Sequence, residues 1–88
     1  MYHINPKIIQ TPITDDKILL LEPQGGLYFE LNESSVLIYQ GIQASLSESE
    51  LIASLTQEYA IEYETAKADT LEILQQFLSN NIIQLKDC

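Results

Sequence analysis

Gly26-Leu27-Tyr28-Phe29-Glu30-Leu31-Asn32 is the stretch around which this chain is organised. Leu27, Phe29 and Leu31 alternate with Tyr28 and Glu30, the period of a strand with one apolar face. The pair Gly25-Gly26 supplies a turn before it, and Asn32, a favoured helix N-cap, stands at its end. Strand-forming residues lie upstream and helix-forming residues downstream. A strand at that junction is expected to be a sheet edge, and an edge can accept another chain.

Toward the amino end, Lys17–Glu22 (KILLLE) is a second strand, whose run of apolar residues predicts partial cover on both faces. Pro23-Gln24-Gly25-Gly26 joins it to the first as a hairpin, Pro setting one φ and Gly supplying a positive one. Lys7–Ile13 (KIIQTPI) is a weaker strand that Pro12 confines to an edge. Residues 1–6 are expected to form a loose arm.

Toward the carboxyl end, Ser35–Ile42 is a short helix capped by Asn32 or Ser34. Its apolar face carries Val36, Ile38, Tyr39 and Ile42, and Gly41 weakens it by about 1 kcal/mol relative to Ala. Ser47-Glu48-Ser49-Glu50 is a capping box, with Leu46 and Leu51 as the matching hydrophobic staple. The helix it starts runs to about Tyr59. A third helix starts around Glu62–Thr65 and continues to Asn80, where Asn80-Asn81 suits a left-handed end. Ala66, Thr70, Ile73 and Phe77 form its core stripe, with Leu74 beside it. Leu71 and Leu78 sit on a shoulder roughly 100–120° from the stripe's centre. That shoulder is either covered by Ile82, Ile83 or Leu85, which form a short terminal strand or tail, or it is the wall of a groove. The order of elements predicts an α+β domain over residues 1–88: a three-stranded antiparallel sheet followed by three helices, in a winged-helix-like arrangement.

The composition narrows the function. Thirteen acids face four lysines and no arginine, a formal net charge of −9 on 88 residues. Such a chain repels nucleic-acid phosphates and anionic membranes and attracts a basic or amphipathic peptide. No apolar run approaches the roughly 18 residues of a membrane span, and no signal peptide is visible, so a cytoplasmic location is expected. Cys88, the only cysteine, reads as an incidental free thiol. His3 has no partner at metal-ligand spacing, no Gly-rich phosphate loop is present, and the serines are explained as caps. No catalytic residue, metal site or cofactor is therefore assigned. Peptide or protein recognition remains, by strand addition or by apolar anchors against a helix shoulder.

Ile18-Leu19-Leu20-Leu21, Gly26, Tyr28-Phe29-Glu30-Leu31-Asn32, Ile38-Tyr39, then Leu51, Leu55, Tyr59, Asp69, Phe77-Leu78 and Ile82-Ile83 form an ordered set. It resembles the PqqD family, also called the RiPP recognition element because its members serve ribosomally made, modified peptides. The resemblance runs from about Asp15 to Leu85. Tyr39 stands where the family has Trp, Gln43-Ala44 where it has Asp-Gly, and Asn81 where it has Gly. These departures argue against the pyrroloquinoline-quinone pathway itself and fit a freestanding member from another pathway, such as that of a lasso peptide.

The resemblance implies a function. Such domains bind the leader segment of a precursor peptide as a strand antiparallel to the last sheet strand. They present it to a processing peptidase or modifying enzyme acting in trans. Carried over, Leu27, Tyr28, Phe29, Glu30 and Leu31 would supply main-chain groups, with Tyr28 and Glu30 flanking the cleft. Leu71, Leu74 and Leu78 would supply pockets, with Lys67 and Gln75 as polar rim. The expected state is a monomer or weak dimer. The alternative is a scaffold subunit that docks on a partner enzyme and binds no leader.

Overall fold

The computed structural model describes residues 2–85, apart from the Asn32 side chain. The Cys88 thiol and the side-chain cap expected of Asn32 lie outside the described residues. The elements run β1 (Tyr2–Ile4), β2 (Ile9–Thr14), β3 (Lys17–Glu22), β4 (Leu27–Asn32), α1 (Glu33–Gln43), α2 (Glu48–Tyr59), α3 (Tyr63–Ser79) and β5 (Ile83–Leu85). The chain is thus α+β, with an antiparallel sheet ordered β2-β3-β4 and three helices after it.

Each hairpin follows from local chemistry. Pro12 lies in β2, an outer strand, and the ladder to β3 is irregular between Pro12 and Thr14, where a proline is tolerated. In the β3–β4 turn Gly26 takes φ 66°. Glu22 is buried there, and its carboxylate accepts the Gln24 N–H at 3.1 Å and the Gly25 N–H at 2.5 Å. The turn is therefore organised by a buried acid as well as by its glycines, which the alternation of β3 did not reveal.

Register places Ile18, Leu20 and Glu22 opposite Leu31, Phe29 and Leu27 on one sheet face. Ile18, Leu20 and Leu31 join Val36, Ile38 and Tyr39 of α1 in the core, so this face looks toward the helices. α1 is the central element, packing on β1, β3, β4, α2 and α3. Tyr39 meets Phe77 of α3 edge to face, with ring centroids 6.3 Å apart.

The helix ends obey their capping residues. Ser47 Oγ accepts the Glu50 N–H at 3.2 Å, and Glu50 Oε1 accepts the Ser47 N–H at 2.9 Å. α3 ends with Asn81 at φ 60°, the Ile82 N–H reaching Phe77 O and the Asn81 N–H reaching Leu78 O. This is a Schellman end in which asparagine takes the left-handed position. Ser45 (φ 63°) closes α1 in the same way, through Leu46 N–H to Gly41 O and Ser45 N–H to Ile42 O. Gly41, expected only to weaken α1, has a packing role: a Cβ there would overlap Leu51 of α2.

The amino-terminal segment is the main correction. Tyr2–Ile4, expected within a loose arm, is strand β1 and pairs antiparallel with β5. Asn5 explains why. Its N–H reaches Ile82 O at 2.9 Å and its side-chain amide reaches Asn81 O at 2.8 Å. The buried amide ties this segment to the exit of α3, a contact of high sequence separation that no local pattern signals. His3, expected as an exposed polar residue, is half-buried with Nε2 3.1 Å from Gln84 Oε1.

Candidate functional site

Strand order leaves β4 with β3 on one side and, among the described residues, no strand on the other. Which residues offer main-chain groups to that open edge follows from one hydrogen bond. The Glu33 N–H donates to Asp16 O at 3.1 Å. Asp16 and Glu33 continue the register in which Lys17 faces Asn32 and Ile18 faces Leu31. In an antiparallel ladder, hydrogen-bonded and non-hydrogen-bonded pairs alternate. Leu31, Phe29 and Leu27 therefore spend their N–H and C=O groups on β3. Those of Tyr28, Glu30 and Asn32 point to the open edge.

The pleat divides the side chains differently. Leu27, Phe29 and Leu31 lie on the core side, and their cover falls off along the strand. Leu31 is 5% exposed, Phe29 half-buried and Leu27 51% exposed, so the core face opens toward the β3–β4 turn. Tyr28 and Glu30 lie on the opposite face, Tyr28 at 67% exposure and Glu30 3.7 Å from the Lys17 ammonium. Tyr28 and Glu30, expected to flank the cleft from the strand, carry their side chains on the face away from the core, and their main chain is what faces the edge.

On α3 the expected residues separate. Leu74, at 2% exposure, belongs to the core and cannot line an open pocket, because it packs with the stripe of Ala66, Thr70, Ile73 and Phe77. Leu71 is 40% exposed, so it is not closed off from solvent by Ile82, Ile83 or Leu85. Leu78 is half-buried against the core. Lys67 and Gln75 are exposed and lie one helical turn to either side of Leu71. Among the described residues no Cα of α3 comes within 8 Å of a Cα of β4, while α1 packs on both.

A cleft of about 390 Å³ opens where β4 passes into α1. Asp15, Asp16, Glu33 and Glu58 stand around it with Tyr59. Burial raises the Tyr59 pKa, and the charges of Glu33, Glu58 and Asp16 raise it further. The sequence showed the acids but not their convergence, which needs the β2–β3 turn, α1 and α2 together. Among the described residues, no group of three or more His, Cys, Asp or Glu could hold a metal. No helix there is long and apolar enough to cross a membrane.

An α+β fold with an unpaired outer strand, a central helix beneath it and an acidic surface defines a class of domain suited to taking up an extended peptide. The family model described as coenzyme PQQ synthesis protein D (PqqD) matches residues 17–83. The chain belongs to the PqqD family. Two solved structures are similar over nearly the whole chain. One, described as TbiB1 in complex with the TbiA(beta) leader peptide, is 21% identical with a TM-score of 0.88 and covers 98% of this chain and 99% of its own. The other, a lasso peptide synthetase B1 complexed with the leader peptide, is 26% identical with a TM-score of 0.85 and covers 96% and 98%. No curated protein sequence matches the chain.

Proposed function

We propose that this chain binds the leader segment of a ribosomally made precursor peptide and presents it to a processing peptidase or modifying enzyme. The observation that carries the reading is the unpaired edge of β4, with the main-chain groups of Tyr28 and Glu30 directed outward. The likeness to two leader-peptide complexes over almost the entire chain supports it and favours a lasso-peptide type of pathway. The leader lies as a strand along β4, with its core-side chains over Leu27 and Phe29 and toward Leu71 and Leu78 of α3. Lys67 and Gln75 form the rim. The chain is a non-catalytic cytoplasmic carrier, a monomer or weak dimer that works with its enzyme in trans. Its negative charge speeds the encounter with a leader that carries basic residues.

The magnitudes are consistent with that role. A micromolar complex needs about −8 kcal/mol, and ordering the leader costs several kcal/mol in addition. Main-chain hydrogen bonds contribute about 1 kcal/mol each, too little alone. Two or three buried apolar anchors at about 1.5–3 kcal/mol each supply the remainder.

Titration with the leader encoded beside this chain's gene, followed by amide NMR, tests the reading. Shifts concentrated on Leu27–Leu31 and Lys67–Leu78 are expected; silence there refutes it. A scaffold reading has one observation in its favour. Ile9, Leu21 and Tyr28 align in register across the outer sheet face, and Ile9 and Tyr28 are exposed. Leader-independent co-purification with the neighbouring enzyme, lost in Ile9→Lys, would favour it.

A further inference from the structure

The sheet has a second outer strand, β2, with β3 on one side and, among the described residues, no strand on the other. It is exposed along its whole length, and Ile9 and Ile13 are each 51% exposed. An apolar outer strand of this kind is a template on which a second copy of the chain can pair by a symmetric antiparallel contact. The ladder phase shows what stands against that. Leu27, Phe29 and Leu31 bond to Glu22, Leu20 and Ile18, so those residues of β3 turn their main-chain groups toward β4. Successive residues of a strand turn these groups to opposite sides. Leu19 and Leu21 therefore turn theirs toward β2, where Thr11 and Ile9 face them. Ile8, Gln10 and Pro12 are left as the residues whose groups face the outer edge of β2. Beyond Pro12 the ladder is irregular, so the regular edge ends there.

Two of those three positions offer no donor. Pro12 has no N–H. The Ile8 N–H is given to Asn5 O at 3.1 Å, in the same turn whose Asn5 side chain holds the exit of α3. We propose that Pro12, together with the Asn5–Ile8 turn, decides at which edge the sheet can be extended: it bars β2 from pairing with a second copy and leaves β4 as the edge that takes a strand. That the strand taken at β4 is a leader rests on the leader-binding reading, whereas the block at β2 does not. Symmetric pairing centred on Gln10 would set Ile8 of each copy against Pro12 of the other, and neither could donate. Pairing centred on Thr11 would set Gln10 against Pro12, and only Gln10 could donate. Either register keeps two hydrogen bonds across the contact, and an N–H at position 12 would add two more.

The test compares the intact chain with Pro12→Thr, which restores the donor with a residue suited to an outer strand. Both are followed without leader by sedimentation equilibrium and amide exchange, up to millimolar concentration, with circular dichroism to establish folding. Pro12→Ala, run in parallel, restores the same donor with a different side chain. In the native chain the Gln10 amide should exchange fast at every concentration, while those of Ile8, Ile9 and Thr11 are slow. Pro12→Thr should self-associate about tenfold or more strongly than the native chain. Its amides at positions 10 and 12 should slow together as concentration rises. Variants that associate no more than the native chain overturn the proposal. So does a native chain whose Gln10 amide becomes protected with concentration, or variant association that protects Tyr28 and Glu30 instead of β2. Leader encoded beside this chain's gene is then added to the native chain. It should slow the Tyr28 and Glu30 amides and leave Gln10 fast, and protection of Gln10 by leader overturns the block. A leader without effect on any amide refutes the leader-binding reading alone, because the concentration series decides the block by itself.

Discussion

Leu71→Asp should weaken leader binding about thirtyfold and leave the protein folded. Leu71 is 40% exposed in the free chain, so that share of its surface is available for a leader to cover. Covering a whole leucine is worth about 1.5–3 kcal/mol, and this share therefore about 0.6–1.2 kcal/mol. Leu71→Ala should lose roughly that amount, a three- to eightfold effect. Asp adds the cost of drying a carboxylate, at least about 1 kcal/mol more, which brings the sum to about 2 kcal/mol. The already buried share of Leu71 costs folding about 1–2 kcal/mol. A chain of 88 residues has roughly 4–13 kcal/mol in hand. Leu74→Asp is the contrasting variant, because its site is fully in the core and an unpaired carboxylate there should unfold the protein. Leu78→Asp falls between, since Leu78 packs against the core from its edge. The assay is fluorescence titration with labelled leader, with circular dichroism to establish folding. A folded Leu71→Asp protein that binds leader within twofold of the native chain would remove α3 from the binding surface.

Four further outcomes follow from the turn, packing and capping contacts of the fold. Glu22→Gln should lower stability by about 1.5–3 kcal/mol, because two turn N–H groups lose a charged acceptor; an unchanged thermal midpoint would show that the glycines alone hold the turn. Gly41→Ala should destabilise despite Ala's better helix propensity, since overpacking against Leu51 costs about 1–3 kcal/mol against a gain of about 1; a higher denaturation midpoint would contradict this. Ser47→Ala should cost about 1 kcal/mol. The Ser47 N–H, then its hydroxyl, hold the Glu50 carboxyl below its ordinary value of 4.5. That stabilisation is complete above this value and fades as pH falls through the lowered one, so Glu50→Gln should differ from the native chain at neutral pH and converge with it only once the pH has fallen below the lowered value. A difference independent of pH would be incompatible with the capping box.

Much of the fold was legible because its signals are local. The alternation in Leu27–Leu31, the capping box at Ser47–Glu50 and the asparagines after Ser79 each act within a few residues, and each does so in the structure. The same holds for the order of strands and helices and for Pro12 on an outer strand. Asn81, standing where the family has Gly, takes the left-handed conformation that residue would supply.

What the sequence could not determine depends on contacts between distant residues. Asn5 orders β1 only because Asn81 and Ile82 are brought beside it. Gly41 is a packing site only because Leu51 lies over it. On α3, Leu71 and Leu74 are both leucines near one stripe, and only the neighbouring elements decide that Leu74 is core and Leu71 is not. The sequence by itself determined that Tyr28–Glu30 is a strand flanked by apolar alternates, since period and turn chemistry are local properties. Only the tertiary structure decided that this strand has a free side and that Tyr28 and Glu30 turn their main chain toward it. Edge and ladder phase are properties of which strands pair and in what register, and register is set by long-range packing.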